Sequence, residues 1–76
     1  NVRVNCICPG FTEHTRLSDN YLESVEGARE HLLSIIPLGR LANPDDMAQA
    51  VLWLCSDAAS FITGLVVPVD GGMALS

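Results

Sequence analysis

The chain opens on a mostly apolar run, Val2-Arg3-Val4-Asn5-Cys6-Ile7-Cys8, rich in β-branched residues and closed by Pro9-Gly10. A near-continuous run of this kind predicts a strand over residues 2–8 that is covered on both faces, as strands of parallel sheets are. Residues 11–22 are polar and irregular and read as a loop. From Glu23 to Ile36 the pattern changes period. Ala28, Leu32, Ile35 and Ile36 form a stripe while Glu23, Glu26, Arg29 and Glu30 face water, which predicts a helix ended by Pro37 and Gly39.

A second helix is marked at its start by Asn43-Pro44-Asp45-Asp46. Asn43 is a good cap, Pro44 suits the first helical position, and the two aspartates favour the positive end of the helix dipole. The helix is expected over residues 44–56. Its apolar residues cover nearly the whole circumference, so it is expected to be buried on more than one side, against the sheet and against a neighbouring element or subunit. Leu65-Val66-Val67-Pro68-Val69 predicts a second strand, with Pro68 placing it at an edge or at the end of pairing. Asp70-Gly71-Gly72 reads as a tight turn held by the aspartate.

The order strand, loop, helix, helix, strand makes an α/β chain: a βαβ unit with two parallel strands and a right-handed crossover. With 76 residues, of which 49% are hydrophobic, the chain is apolar for its size. A domain this small buries only about 60% of its unfolded surface. The apolar positions are therefore expected to pack against further protein, either the rest of a larger domain or another subunit. A start at Asn1 without methionine fits that expectation.

Charge narrows the chemistry. The net charge is −5, and the four basic residues, Arg3, Arg16, Arg29 and Arg40, are scattered. No basic patch exists for a phosphate backbone, so nucleic acid is not an expected partner. The longest apolar stretch, Met47 to Cys55, is too short to span a bilayer, and no signal peptide is evident, so a soluble, cytoplasmic protein with no membrane partner is expected. Cys6, Cys8 and Cys55 have neither CxxC nor zinc spacing, no metal site is expected, and the thiols are expected to be free and buried.

In open parallel sheets, ligands bind beyond the carboxyl ends of the strands. That rule directs attention to Pro9-Gly10-Phe11-Thr12-Glu13-His14-Thr15. Gly10 would allow close approach of a ligand to the backbone, and Thr12 and Thr15 would exchange hydrogen bonds with a carboxamide or phosphate. An ordinary strand-ending turn accounts for the same residues. His14 lacks an acid or nucleophile at triad spacing and reads as pocket-lining or surface. No Gly-rich phosphate loop is present.

Taken in order, Arg3-Val4-Asn5-Cys6-Ile7-Cys8-Pro9-Gly10, Pro37-Leu38-Gly39-Arg40, Asn43-Pro44-Asp45-Asp46, Leu52-Trp53-Leu54-Cys55-Ser56-Asp57, Ile62-Thr63-Gly64 and Val69-Asp70-Gly71-Gly72 resemble the C-terminal part of classical short-chain dehydrogenases/reductases. The resemblance implies the C-terminal βαβ portion of a Rossmann-type doubly wound parallel sheet over residues 1–76, the N-terminal part lying outside this chain. It implies a cofactor loop over 9–15, with Pro9, Gly10, Phe11, Thr12, His14 and Thr15 at the nicotinamide end of NAD or NADP. The family's usual threonine falls on His14, with Thr15 one residue later, so either could take its role. Residues 16–36 would be the substrate lid, with Arg16, Leu17, Tyr21 and Leu22 lining it.

The implied activity is hydride transfer between NAD(P) and a small-molecule alcohol or carbonyl. A non-catalytic truncated relative serving as an interaction module, and a member with epimerase or dehydratase chemistry, are the alternatives. No catalytic residue is assigned in this chain, since the family's serine and Tyr-x-x-x-Lys would lie upstream and Tyr21 is followed by Val25 at the lysine position. A homo-oligomer, a tetramer by resemblance, would use Trp53, Val67 and Val69 at an interface.

Overall fold

The computed structural model describes residues 1–75. Two strands, β1 (Cys6–Pro9) and β2 (Val66–Val69), pair in parallel with Cys6 opposite Val66 and Pro9 opposite Val69. Between them run α1 (Arg16–Ser24), α2 (Ala28–Ile35) and α3 (Pro44–Leu54), followed by a 3-10 turn at Asp57–Ala59. The expected βαβ arrangement is present.

The two prolines in the strands fit their register. Cys6 N–H donates to the Leu65 carbonyl and Gly10 N–H to the Val69 carbonyl, both at 2.9 Å. In a parallel ladder alternate residues point their N–H groups to the same neighbour, so position 9 points its nitrogen away from β2 and position 68 away from β1. Neither proline removes a bond from this pair.

β1 is shorter than the run 2–8 predicts. Residues 2–5 do lie beside 62–65, but side chains replace part of the ladder. Asn5 Oδ1 accepts Leu65 N–H at 3.0 Å, Asn5 Nδ2 donates to the Ile62 carbonyl at 3.1 Å, and Thr63 Oγ1 accepts Val4 N–H at 3.1 Å. Arg3 contributes to the same seam. Its Nη1 donates to the Leu54 carbonyl at 2.9 Å and the Ile62 carbonyl at 3.1 Å, placing a cation on the negative end of α3.

The lid segment differs most from expectation. Residues 16–22, read as loop, form most of α1, and the helix expected over 23–36 is split. A capping box starts α1 early: Thr15 Oγ1 accepts Ser18 N–H at 3.1 Å while Ser18 Oγ accepts Thr15 N–H at 3.2 Å. Gly27, with φ of +73°, separates α1 from α2.

α3 begins where expected, with Asn43 Oδ1 accepting Asp46 N–H at 3.1 Å, and ends two residues short at Leu54, with Cys55 as its cap. It packs on both strands, yet within this chain only Leu54 of the helix is buried, and Val51, Leu52 and Trp53 are exposed. The second side expected to be covered is bare here. The same holds for the thiols: Cys6, Cys8 and Cys55 are free, but exposed rather than buried, because none of the described residues covers that face of β1 or the end of α3.

The core lies elsewhere. Leu32, Ile36 and Leu41 are buried together, with Phe11, Leu22 and Met73 packed against them. Each of the large aliphatic residues contributes about 1.5–3 kcal/mol by leaving water. This cluster joins the loop after β1, both α1 and α2, the strap from Pro37 to Ala42 and the turn after β2.

Candidate functional site

The loop after β1 is held from one side by the strap. Ala42 N–H donates to the Phe11 carbonyl at 3.1 Å, and Glu13 N–H donates to the Ala42 carbonyl at 2.7 Å, so Thr12 and Ala42 form an isolated parallel bridge. The residues flanking Thr12 thus face Ala42, and the N–H and C=O of Thr12 itself point to the opposite side. The Thr12 hydroxyl turns back and donates to the Gly10 carbonyl at 3.1 Å. Thr12 therefore presents a peptide donor and acceptor, rather than its side chain, beyond the carboxyl end of β1.

Gly10 has a packing reason to be glycine. A Cβ there would lie 2.7 Å from both Cα and Cβ of Asp70. The close approach is to the turn after β2, where Gly10 packs against Cα and Cβ of Asp70. Pro9 is exposed at the end of β1, opposite Val69.

Phe11 turns inward to the core and stacks at a tilt on Tyr21 of α1, with ring centroids 5.6 Å apart. It is the one expected cofactor residue that lines a cavity of about 650 Å³ bounded also by Ile36, Pro37, Leu38, Val69 and Asp70. His14 adopts φ of +63°, a left-handed conformation uncommon outside glycine, and its side chain is 71% exposed. Its N–H donates to Asp19 Oδ1 at 3.2 Å. Thr15, the other candidate for the shifted threonine role, commits its hydroxyl to the capping box of α1.

Of the expected lid residues, Tyr21 and Leu22 face Phe11 and the core, whereas Arg16 and Leu17 point to solvent. The loop and α2 are further tied by Glu13, whose Oε1 lies 3.6 Å from Arg29 Nη1 on α2 and 3.4 Å from His14 Nε2. Val67 and Val69 are half-buried on β2, and Trp53 is exposed on α3.

Two features carry more weight than their sequence signals suggest. Arg40 makes a two-pronged pair with Asp46, at 2.8 and 3.0 Å, while Asp46 Oδ2 also accepts Asn43 N–H at 2.9 Å. Hydrogen bonding from Arg40 first, then from Asn43, lowers the Asp46 carboxyl from its ordinary 3.8 to about 2. The pair fixes the strap to the start of α3, and the spacing Arg40-x-x-Asn43-x-x-Asp46 is the signal that would have found it. The second feature is Asp70, whose Oδ1 accepts Gly72 N–H at 2.9 Å and Oδ2 accepts Ala74 N–H at 3.1 Å. The pKa of the Cys8 thiol is raised, by partial loss of hydration and then by Cys6 beside it.

The family described as enoyl-(acyl carrier protein) reductase matches residues 1–74. The chain is 45% identical, over 75 residues, to the 3-oxoacyl-[acyl-carrier-protein] reductase FabG of Thermotoga maritima. The chain belongs to the short-chain dehydrogenase/reductase family. The alignment covers 99% of the chain and 29% of the Thermotoga relative, so the chain spans under a third of that protein's length. It is 47% identical to the 4-formylbenzenesulfonate dehydrogenase of Comamonas testosteroni, over 93% of the chain and 29% of the relative.

Among solved members of the family, an oxidoreductase from Burkholderia thailandensis superposes with a TM-score of 0.88 at 40% identity, covering 97% of this chain and 29% of that one. A candidate 2-deoxy-D-gluconate 3-dehydrogenase from Agrobacterium tumefaciens, solved with bound NADP, superposes with a TM-score of 0.86 at 34% identity over the same shares. The fold is that of the Rossmann-type members of the short-chain dehydrogenase/reductase family.

Proposed function

We propose that this chain forms the C-terminal part, over residues 1–76, of an NAD(P)-dependent oxidoreductase acting on a small-molecule alcohol or carbonyl, and that the loop 9–15 is one wall of its nicotinamide site. The observation that carries this reading is the orientation of Thr12. Its N–H and C=O face away from the Ala42 clasp, beyond the carboxyl end of β1, where ligands of open α/β sheets bind. A carboxamide has one acceptor and one donating group, and an outward peptide donor and acceptor complement it.

The nicotinamide, when bound, supplies or receives the hydride. This chain's own part is to bind and orient. Thr12 holds the carboxamide through its backbone, and Pro9 and Gly10 set where that backbone stands. Phe11 faces inward and anchors the loop on the lid through Tyr21 and Leu22, while Arg16 and Leu17 form the lid's outer approach. His14 borders the site in the place of the family's threonine, because Thr15 is engaged in capping α1. Residues 16–36 close over the substrate. The proton is handled by groups outside this chain. The complete protein is read as a cytoplasmic homo-oligomer, a tetramer, whose interface takes the exposed Trp53 together with Val67 and Val69.

The test uses two substitutions at one position in the complete protein. Thr12→Pro removes the N–H, and Thr12→Ala keeps it. Loss of a buried amide donor should weaken NADH or NADPH binding about tenfold in the first variant and leave it nearly unchanged in the second. Equal affinity in both variants would sink the reading.

A further inference from the structure

The turn after β2 touches both halves of the proposed site at once. On one side Gly10 N–H bonds the Val69 carbonyl at 2.9 Å, and the Gly10 Cα rests so close to Asp70 that a Cβ would come within 2.7 Å of its backbone. On the other side Leu38 N–H donates to the Gly71 carbonyl at 3.0 Å. A Cβ on Gly71, which has φ of +63°, would lie 2.8 Å from Cγ2 of Ile36, and one on Gly72 would lie 3.2 Å from Pro37. Met73, at the end of the same turn, packs on the Leu32–Ile36–Leu41 core. The Asp70 carboxylate holds the turn in shape by accepting N–H groups from Gly72 and Ala74, one on each oxygen.

We propose that Asp70 is a positioning residue that fixes the loop 9–13 and the strap 36–42 at the base of the lid relative to each other. As a determinant of catalysis this rests on the reading of residues 9–15 as a nicotinamide wall; as a mechanical link it stands on the contacts alone. Both segments are read against one rigid turn, so a change in the turn displaces the two together. The carboxylate has no other hydrogen-bonding task among the described residues. Its effect is transmitted through Gly10 and through Ile36–Leu38.

The experiment compares the complete enzyme with Asp70→Ala and Asp70→Asn. The alanine variant loses both acceptors, and the asparagine variant keeps one. With the alanine variant, KM for the nicotinamide cofactor and KM for the carbonyl substrate should both rise, by about tenfold, since a misplaced binding wall loses affinity. Asparagine should recover part of both. A merely structural role lowers the active fraction, and with it apparent kcat, while leaving both KM values in place.

Amide hydrogen exchange supplies a readout independent of turnover. Residues 9–13 and 36–42 should exchange faster together in Asp70→Ala, and less so in Asp70→Asn, with α3 unchanged. Faster exchange in only one of the two segments, in neither, or throughout the chain overturns the link. Should the wild-type enzyme show no nicotinamide-dependent turnover, the proposed function fails, and the exchange pattern still decides whether Asp70 couples the two segments.

Discussion

The two ends of this molecule bury their apolar residues in different ways. Around α1 and α2, Leu32, Ile36 and Leu41 find Phe11, Leu22 and Met73 within the same chain. Along the sheet and α3, Val2, Val4, Val51, Leu52, Trp53 and Val66 stay exposed, although these elements carry the most apolar sequence. Polar bonding is well arranged in both halves: Arg3 and Asn5 tie the sheet seam, and Arg40 and Asp46 tie the strap. The sheet half thus has its backbone geometry fixed while its faces are bare among the described residues. The half built on α1 and α2, proposed as the lid, closes on itself, and the loop proposed to face the nicotinamide lies where the two meet.

The largest expected effect is on the bare half. Trp53→Asp in the complete protein should abolish or strongly weaken subunit assembly, a loss of about 4 kcal/mol or more if Trp53 sits at the centre of the interface. An unchanged sedimentation profile would remove Trp53 from the interface and make the bare face a surface for the same chain's other segments. In the closed half, Leu32→Ala should lower stability in denaturant by about 2–5 kcal/mol, because the cluster is small and has few neighbours to refill the space. A loss under about 1 kcal/mol would mean that the lid core is not the anchor described here.

At the meeting point, Gly10→Ala should destabilise by about 1–3 kcal/mol, since the new methyl meets backbone that cannot swing aside. Thermal unfolding of the complete protein measures it, and a neutral result would contradict the Gly10–Asp70 approach.

The smallest effect is electrostatic. The carboxyl of Asp46 is lower in the folded chain, about 2 against 3.8, so the unfolded chain binds the proton more readily between those values. The stability it contributes is therefore fully present above the ordinary carboxylate range and is lost as pH falls from about 4 through about 2. Arg40→Gln should flatten this part of the acid profile. The pair is partly exposed, so the change should be modest, and an acid profile identical in both proteins would show that the pair does not hold the strap.

The parts legible in the sequence are those where local chemistry and tertiary packing agree. Asn43-Pro44 started α3, and Pro9-Gly10 ended β1 within a residue of its expected limit. The lid was misread because polarity was taken as irregularity. Thr15 and Ser18 form a capping box made of two hydroxyls rather than the more familiar hydroxyl and carboxylate. Ser18, Tyr21 and Leu22 sit at spacings of three and four, which fit one helix face, while Leu17 points to solvent. The exposure of the cysteines and of α3 could not be read from composition, which tells how apolar a face is but not what covers it. At the candidate site, Pro9-Gly10 was read as the turn that ends the first strand, and β1 does end there, but Gly10 packs on Asp70, sixty residues away in sequence, and no local pattern announces such a contact.

The most direct test of the nicotinamide wall is an amide spectrum of the complete, isotope-labelled protein titrated with NADPH and with NADH. The resonances of Phe11, Thr12 and Glu13 should shift saturably with whichever cofactor binds, and Thr12 should shift most. Saturable cofactor binding that leaves residues 9–15 unmoved would contradict the account.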